Sequence, residues 1–210
     1  REVADASVRF FAGRLRDCLR SLTGSGPDQL TDELVQAIDG YETAEKRFAS
    51  LLETIPHPRL SAFASLVEEL DTLSPTEANE LLDSVEKEIE QGQNRFVLAE
   101  EERVPIAVVG SPVPGPALPE TVEGAGFSIE LYDSCLFARH APRQPEDRKA
   151  GLSKELSGES VGPFFRLALR YLTKTPCPRM AHRKKFVDTI VNRYKRGEIR
   201  GIIHLRMPFC

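Results

Sequence analysis

The sequence predicts an α/β fold, with an N-terminal helical segment leading into a doubly wound parallel-sheet lobe of the flavodoxin or Rossmann kind. Three observations point there. Charge divides the chain: residues 1–102 hold 10 Lys/Arg against 22 Asp/Glu, and residues 103–210 hold 18 against 10. Apolar residues recur at three- and four-residue steps in the first half and in short unbroken runs in the second. Those runs alternate with helical patterns, as strands joined by helical crossovers do. The expected domains are an acidic helical region over 1–102 and an α/β lobe over 103–210.

In chain order, Val8, Phe11, Leu15, Cys18, Leu19 and Leu22 mark an amphipathic helix over residues 3–22. Leu34, Ile38, Tyr41, Phe48, Leu52 and Ile55 form the stripe of a longer one, which Pro56 and Pro58 end. Ser74-Pro75-Thr76-Glu77 is a capping box with proline at the first helical position. Ala78, Leu81, Leu82, Val85 and Ile89 follow as its buried face, with Gly92 as the stop. Val104 to Val109 reads as a buried strand running into a Gly/Pro-rich turn, Gly110 to Gly115. A short helix over Leu118–Glu123 and a strand over Phe127–Tyr132 come next. Helices over Phe164–Leu172 and Ala181–Tyr194, closed by Gly197, precede a third strand over Gly201–Met207. His204, inside that strand, is expected to face the core.

Composition narrows the function classes. The chain has 210 residues, 40% apolar and 29% charged, with a net charge of −4. No apolar run approaches the ~20 residues of a membrane span, and no signal peptide opens the chain. Four cysteines in 210 residues are too few for a disulfide scaffold, and Cys18, Cys135, Cys177 and Cys210 contain no CxxC pair, which argues against a zinc knuckle. A reducing cytoplasm is the expected compartment. A basic cluster (Arg179, Arg183, Lys184, Lys185, Arg193, Lys195, Arg196) lacks the aromatic interleaving and motifs of nucleic-acid binders. It reads as a solvated helix face, or as a surface for a polyphosphorylated ligand or an acidic partner. The chain starts at Arg1 and stops at Cys210 after an apolar run, so the expectation is a piece of a longer subunit, truncated at both ends.

Ligands of open parallel sheets sit beyond the carboxyl ends of the strands. Gly110 and Ser111, Asp133 and Ser134 with Cys135 and Arg139, and Cys210 all fall at such ends. Each also has a plain reading. The Gly110-Ser111 turn before a helix could bind phosphate through free backbone N–H groups, yet it matches neither GxGxxG nor GxxxxGK[ST], so no flavin or NAD motif is present. Cys135 and Cys177 fit small buried hydrophobes, and Asp133 with Arg139 fits a structural ion pair. A thiol at a strand's exposed end, as at Cys210, suits a soft-metal ligand. The four histidines form no metal constellation.

Three segments carry a family resemblance: Ile106-Ala-Val-Val-Gly-Ser-Pro-Val-Pro-Gly-Pro116, Leu131-Tyr-Asp-Ser-Cys-Leu-Phe-Ala-Arg139, and Tyr171-Leu-Thr-Lys-Thr-Pro-Cys-Pro-Arg-Met180 continuing through Arg200-Gly-Ile-Ile-His-Leu-Arg-Met-Pro-Phe-Cys210. In order and spacing the chain resembles the iron–sulfur subunits of the 2-hydroxyacyl-CoA dehydratase and benzoyl-CoA reductase family, the 2-hydroxyglutaryl-CoA dehydratase D-component among them. The resemblance implies two α/β lobes with helices between, this chain being the helical part and most of the second lobe. It implies a 4Fe–4S cluster held by three cysteines, two in the first lobe and one at the position of Cys210. Cys135 and Cys177 match recurrent positions and are weaker ligand choices. Gly110, Ser111, Asp133, Ser134 and Arg139 would line the substrate cavity, while the catalytic residues are not assigned. Tyr132 stands where a second acidic residue is common in the family, and Leu136-Phe137 replace a small polar pair.

The same resemblance implies an enzyme of anaerobic metabolism acting on an acyl-CoA substrate. One low-potential electron would make the thioester a ketyl radical, expel the 2-hydroxyl group and acidify the β-proton. Its partners would be an ATP-dependent electron-donating activator and a homologous second subunit, or a second copy of itself. Neither nucleic acid nor membrane is an expected partner. Two other readings stand beside it: an ATP-driven double-cubane cluster reductase of small molecules, and a non-catalytic α/β partner or assembly subunit.

Overall fold

A computed structural model describes residues 5–24, 31–92, 94–99, 102–111, 113–134, 162–172 and 184–206. It is mixed α/β. Seven α-helices and a three-stranded parallel sheet are present among the described residues. Helix α1 spans Asp5–Thr23, α2 Thr31–Thr54, α3 Leu60–Leu70 and α4 Pro75–Glu90; strand β1 is Val104–Gly110, α5 Ala117–Gly124 and β2 Phe127–Ser134. Helix α6 (Pro163–Leu172), α7 (Lys184–Lys195) and strand β3 (Gly201–Leu205) complete the set.

The chain divides into two compact units, Arg1–Thr43 with Pro142–Thr175, and Ala44–Ala141 with Pro176–Cys210. In the first, Val8 and Ala12 of α1 bury against Phe164 and Ala168 of α6. The Arg16 guanidinium covers the Phe164 ring, and Arg166 bonds Asp39 and Glu42 at 2.6 and 3.1 Å. The α1 stripe is narrower than the spacing suggests: Cys18 is exposed and Leu22 is 79% exposed.

In the second unit the core is built from the later part of α2, α3, α4 and one face of the sheet. Phe48, Phe63 and Phe96 meet there, with Phe63 edge-on to Phe48 at 5.7 Å and tilted against Phe96 at 5.2 Å. Helix α3 is absent from the sequence expectation. Six of its eleven residues are buried, and Leu60, Phe63, Ala64 and Val67 fall at the three- and four-residue steps of a helix, so the signal is present but spans only three turns. Its start also follows directly on Pro56 and Pro58, which read as a loop. The capping box forms as expected: Glu77 N–H donates to Ser74 Oγ, and the Ser74 amide donates to Glu77 Oε2 at 2.8 Å.

The strand order is β2-β1-β3, all parallel. The chain steps from β1 to β2 and later returns across β1 to β3. Crossovers of one hand must then lie on opposite faces. Accordingly, Ile106, Val108 and Ile129 join the α3/α4 core that includes Val122 of α5, while Ala107 packs with Ile190 of α7 and Ile199. No described helix is long and apolar enough to cross a membrane.

Candidate functional site at the carboxyl rim of the sheet

Register brings the three strand ends level. Gly110 pairs with Ser134 on one side and with Leu205 on the other. Strand β1 is central, and its two neighbours are reached by connections that set off in opposite directions. That is the topological switch point, where open sheets leave a crevice beyond the strand ends.

Gly110 is required at its position. Its φ is +124°, and a Cβ there would collide with the Leu205 carbonyl oxygen. The close approach lets the Ser111 amide donate to that same oxygen at 3.0 Å. The Ser111 N–H is therefore spent within the sheet and is not a donor to a ligand phosphate. What the turn offers is the Ser111 side chain, 9% exposed.

Asp133 reaches the rim through a β-bulge. Ile106 pairs with Ile129 but Ala107 pairs with Leu131, so Glu130 is the extra residue. Arg193 of α7 donates to the Glu130 carbonyl at 2.9 Å and fixes the kink. Side chains alternate along a strand, so the extra residue returns Tyr132 to the face of Ile129 and turns Asp133 to the face of Leu131 and Val109. Tyr132 accordingly belongs to the α3/α4 core, while Asp133 is 8% exposed beside Val109. Ser134 is placed by its backbone as the last residue of β2.

Arg139, Cys135, Cys177 and Cys210 lie outside the described residues. Among the described residues no group of three or more His, Cys, Asp or Glu could hold a metal ion. In sequence, two thiols nonetheless fall close to the rim residues. Cys135 follows the last residue of β2 directly, and Cys210 comes five residues after the end of β3.

One rim neighbour has no counterpart in the sequence expectation. The Glu68 carboxylate of α3 approaches the turn after β1, where a Cβ on Gly115 would stand 3.0 and 3.3 Å from its two oxygens. Detecting it required the packing of α3 against that turn, a contact between residues 47 positions apart that no local pattern encodes. His204, expected in the core, is exposed. Together with Ile202 it occupies the outward positions of β3, the edge strand, beyond the cover that α7 gives to Ala107. In the basic cluster, Arg193 and Arg196 both bond Glu198. Arg196 first, then Arg193, hold the Glu198 carboxyl below its usual range. Part of the charge at that end of the cluster is thus met by Glu198.

Compared with known protein families, the chain matches the one described as "2-hydroxyglutaryl-CoA dehydratase, D-component" over residues 2–210. Comparison with curated proteins gives no match.

Proposed function

Because the chain belongs to the 2-hydroxyglutaryl-CoA dehydratase D-component family, and is thus a 2-hydroxyacyl-CoA dehydratase component over residues 2–210, we propose that its carboxyl rim forms one wall of the site where an acyl-CoA thioester loses water. The level ends of β1, β2 and β3 support this reading, since they bring buried Ser111 and Asp133 to the same rim. Cys210 would hold one iron of a 4Fe–4S cluster, the other ligands coming from sequence beyond this chain. Such a cluster, when bound, supplies one low-potential electron to the thioester. An ATP-hydrolysing activator would deliver it, and a homologous subunit or a second copy would complete the site.

The chain's own residues then have defined tasks. The close seam between β1 and β3 at Gly110, locked by the Ser111 amide hydrogen bond to Leu205, would form the floor. Ser111, at the start of the turn, offers a hydroxyl to orient the thioester end of the substrate. Asp133 is aimed by the bulge rather than by a mobile loop, which suits a group that must accept or hold a proton at a fixed place. Arg139, five residues beyond the end of β2, would complete the lining together with Ser134.

Anaerobic iron–sulfur reconstitution of the full-length subunit with its partner tests the reading. The expected product is brown, with iron bound and a thiolate-to-iron absorption band that Cys210→Ser removes. A colourless wild-type protein without iron would overturn it and favour a non-catalytic partner subunit. Iron binding accompanied by small-molecule reduction but no dehydration would replace it with the double-cubane reductase reading.

A further inference from the structure

A second concavity lies at the amino ends of the strands, a β1 length of roughly 20 Å from the rim. It is a cleft of about 420 Å³ lined by Arg59, Ser61, Arg95, Arg103, Glu120 and Glu123, among others. Its volume suits a small molecule. Three arginines come to it from three separate places: the residue before α3, the short turn after α4, and the residue before β1.

The groups around it are unequally engaged. Glu123 is 6% exposed, and its carboxylate accepts from the Leu60 amide at 2.6 Å and from Ser61 Oγ at 2.5 Å. Its charge is thus taken up by the first turn of α3, which has no free pole to offer a ligand. Arg103 donates to the Glu123 carbonyl at 2.7 Å. Arg95 pairs with Glu88 at 2.7 Å and lies over the Phe96 ring. Arg59 differs. It is half-buried, and its guanidinium makes no hydrogen bond or ion pair with any described residue.

A guanidinium stays charged at every physiological pH, and holding it half out of water without a counter-charge is unfavourable. Its planar fork matches the oxygens of a phosphate group. A doubly charged phosphate also gains more from three guanidiniums than a single carboxylate does. We propose that this cleft binds a small phosphate-bearing ligand, with Arg59 as the main anion contact and Arg103 and Arg95 reinforcing it. Glu120, in the same lining, opposes the anion and sets a ceiling on affinity. The site is independent of the rim and of any cluster.

Calorimetric titration of the full chain with inorganic pyrophosphate at low salt tests it, with malonate as the carboxylate comparison. Saturable pyrophosphate binding is expected, weakened at least ten-fold by Arg59→Gln and less by Arg59→Lys, and tightened several-fold by Glu120→Gln. Malonate is expected to bind at least ten-fold more weakly. Thermal melting of each variant checks its fold, and Arg59 has no internal bond to lose. No saturable binding by the wild type, equal affinity in Arg59→Gln, or equal binding of malonate would each overturn the proposal.

Discussion

Glu123 shows how one side chain can join distant parts of this chain. It ends α5, yet its carboxylate serves as the N-terminal cap of α3, sixty-three residues earlier. The residue in the α3 cap position, Arg59, makes no side-chain cap bond, so the carboxylate substitutes for the missing one. Replacing Glu123 with Ala leaves the Leu60 and Ser61 amides and the Ser61 hydroxyl without their acceptor in a buried place. The expected loss is about 2–3 kcal/mol of stability, read from denaturant unfolding, with Glu123→Gln losing less because one acceptor oxygen survives. If the proposed function holds, Asp133 invites the complementary test in the assembled dehydratase. Asp133→Asn keeps the size and the acceptor but removes the charge. The expected result is dehydration slowed at least ten-fold, roughly the lower end for an acid–base group, with iron content unchanged. Equal loss of iron would instead mark Asp133 as structural.

At the scale of elements, α4 and β2 illustrate two different kinds of local code. The α4 start is written in four consecutive residues, and Ser74→Ala should lower stability by about 1 kcal/mol. The Ser74 hydroxyl and then its amide hold the Glu77 carboxyl below the usual carboxylate range. A lowered folded value means that this contribution is complete above the ordinary range near 4.5 and fades as pH falls through the folded value. Unfolding measured at pH 7 and at pH 3 should therefore show Ser74→Ala costing less in acid. Strand β2 carries no such signature. Its bulge at Glu130 depends on register against β1 and on Arg193 from α7, and neither neighbour can be read from Phe127–Ser134 alone. Helix α3 is a third case: its apolar residues keep helical spacing, but it is short and starts directly after Pro56 and Pro58, which read as a loop.

For the whole molecule, the alternation of strand and helix was enough to anticipate a parallel sheet, and the spacing of turn residues was enough to put Gly110, Asp133 and Ser134 at strand ends. These are local properties: propensity, capping and period act within a few residues and so are written in order along the chain. What only tertiary structure decided is the strand order that makes β1 central, the bulge that puts Asp133 on the face opposite Ile129, the approach of Glu68 to Gly115, and the arginine cleft at the opposite end of the sheet. Each joins residues dozens of positions apart, and which of many possible partners meet is settled by packing both sheet faces at once, a condition no short window contains.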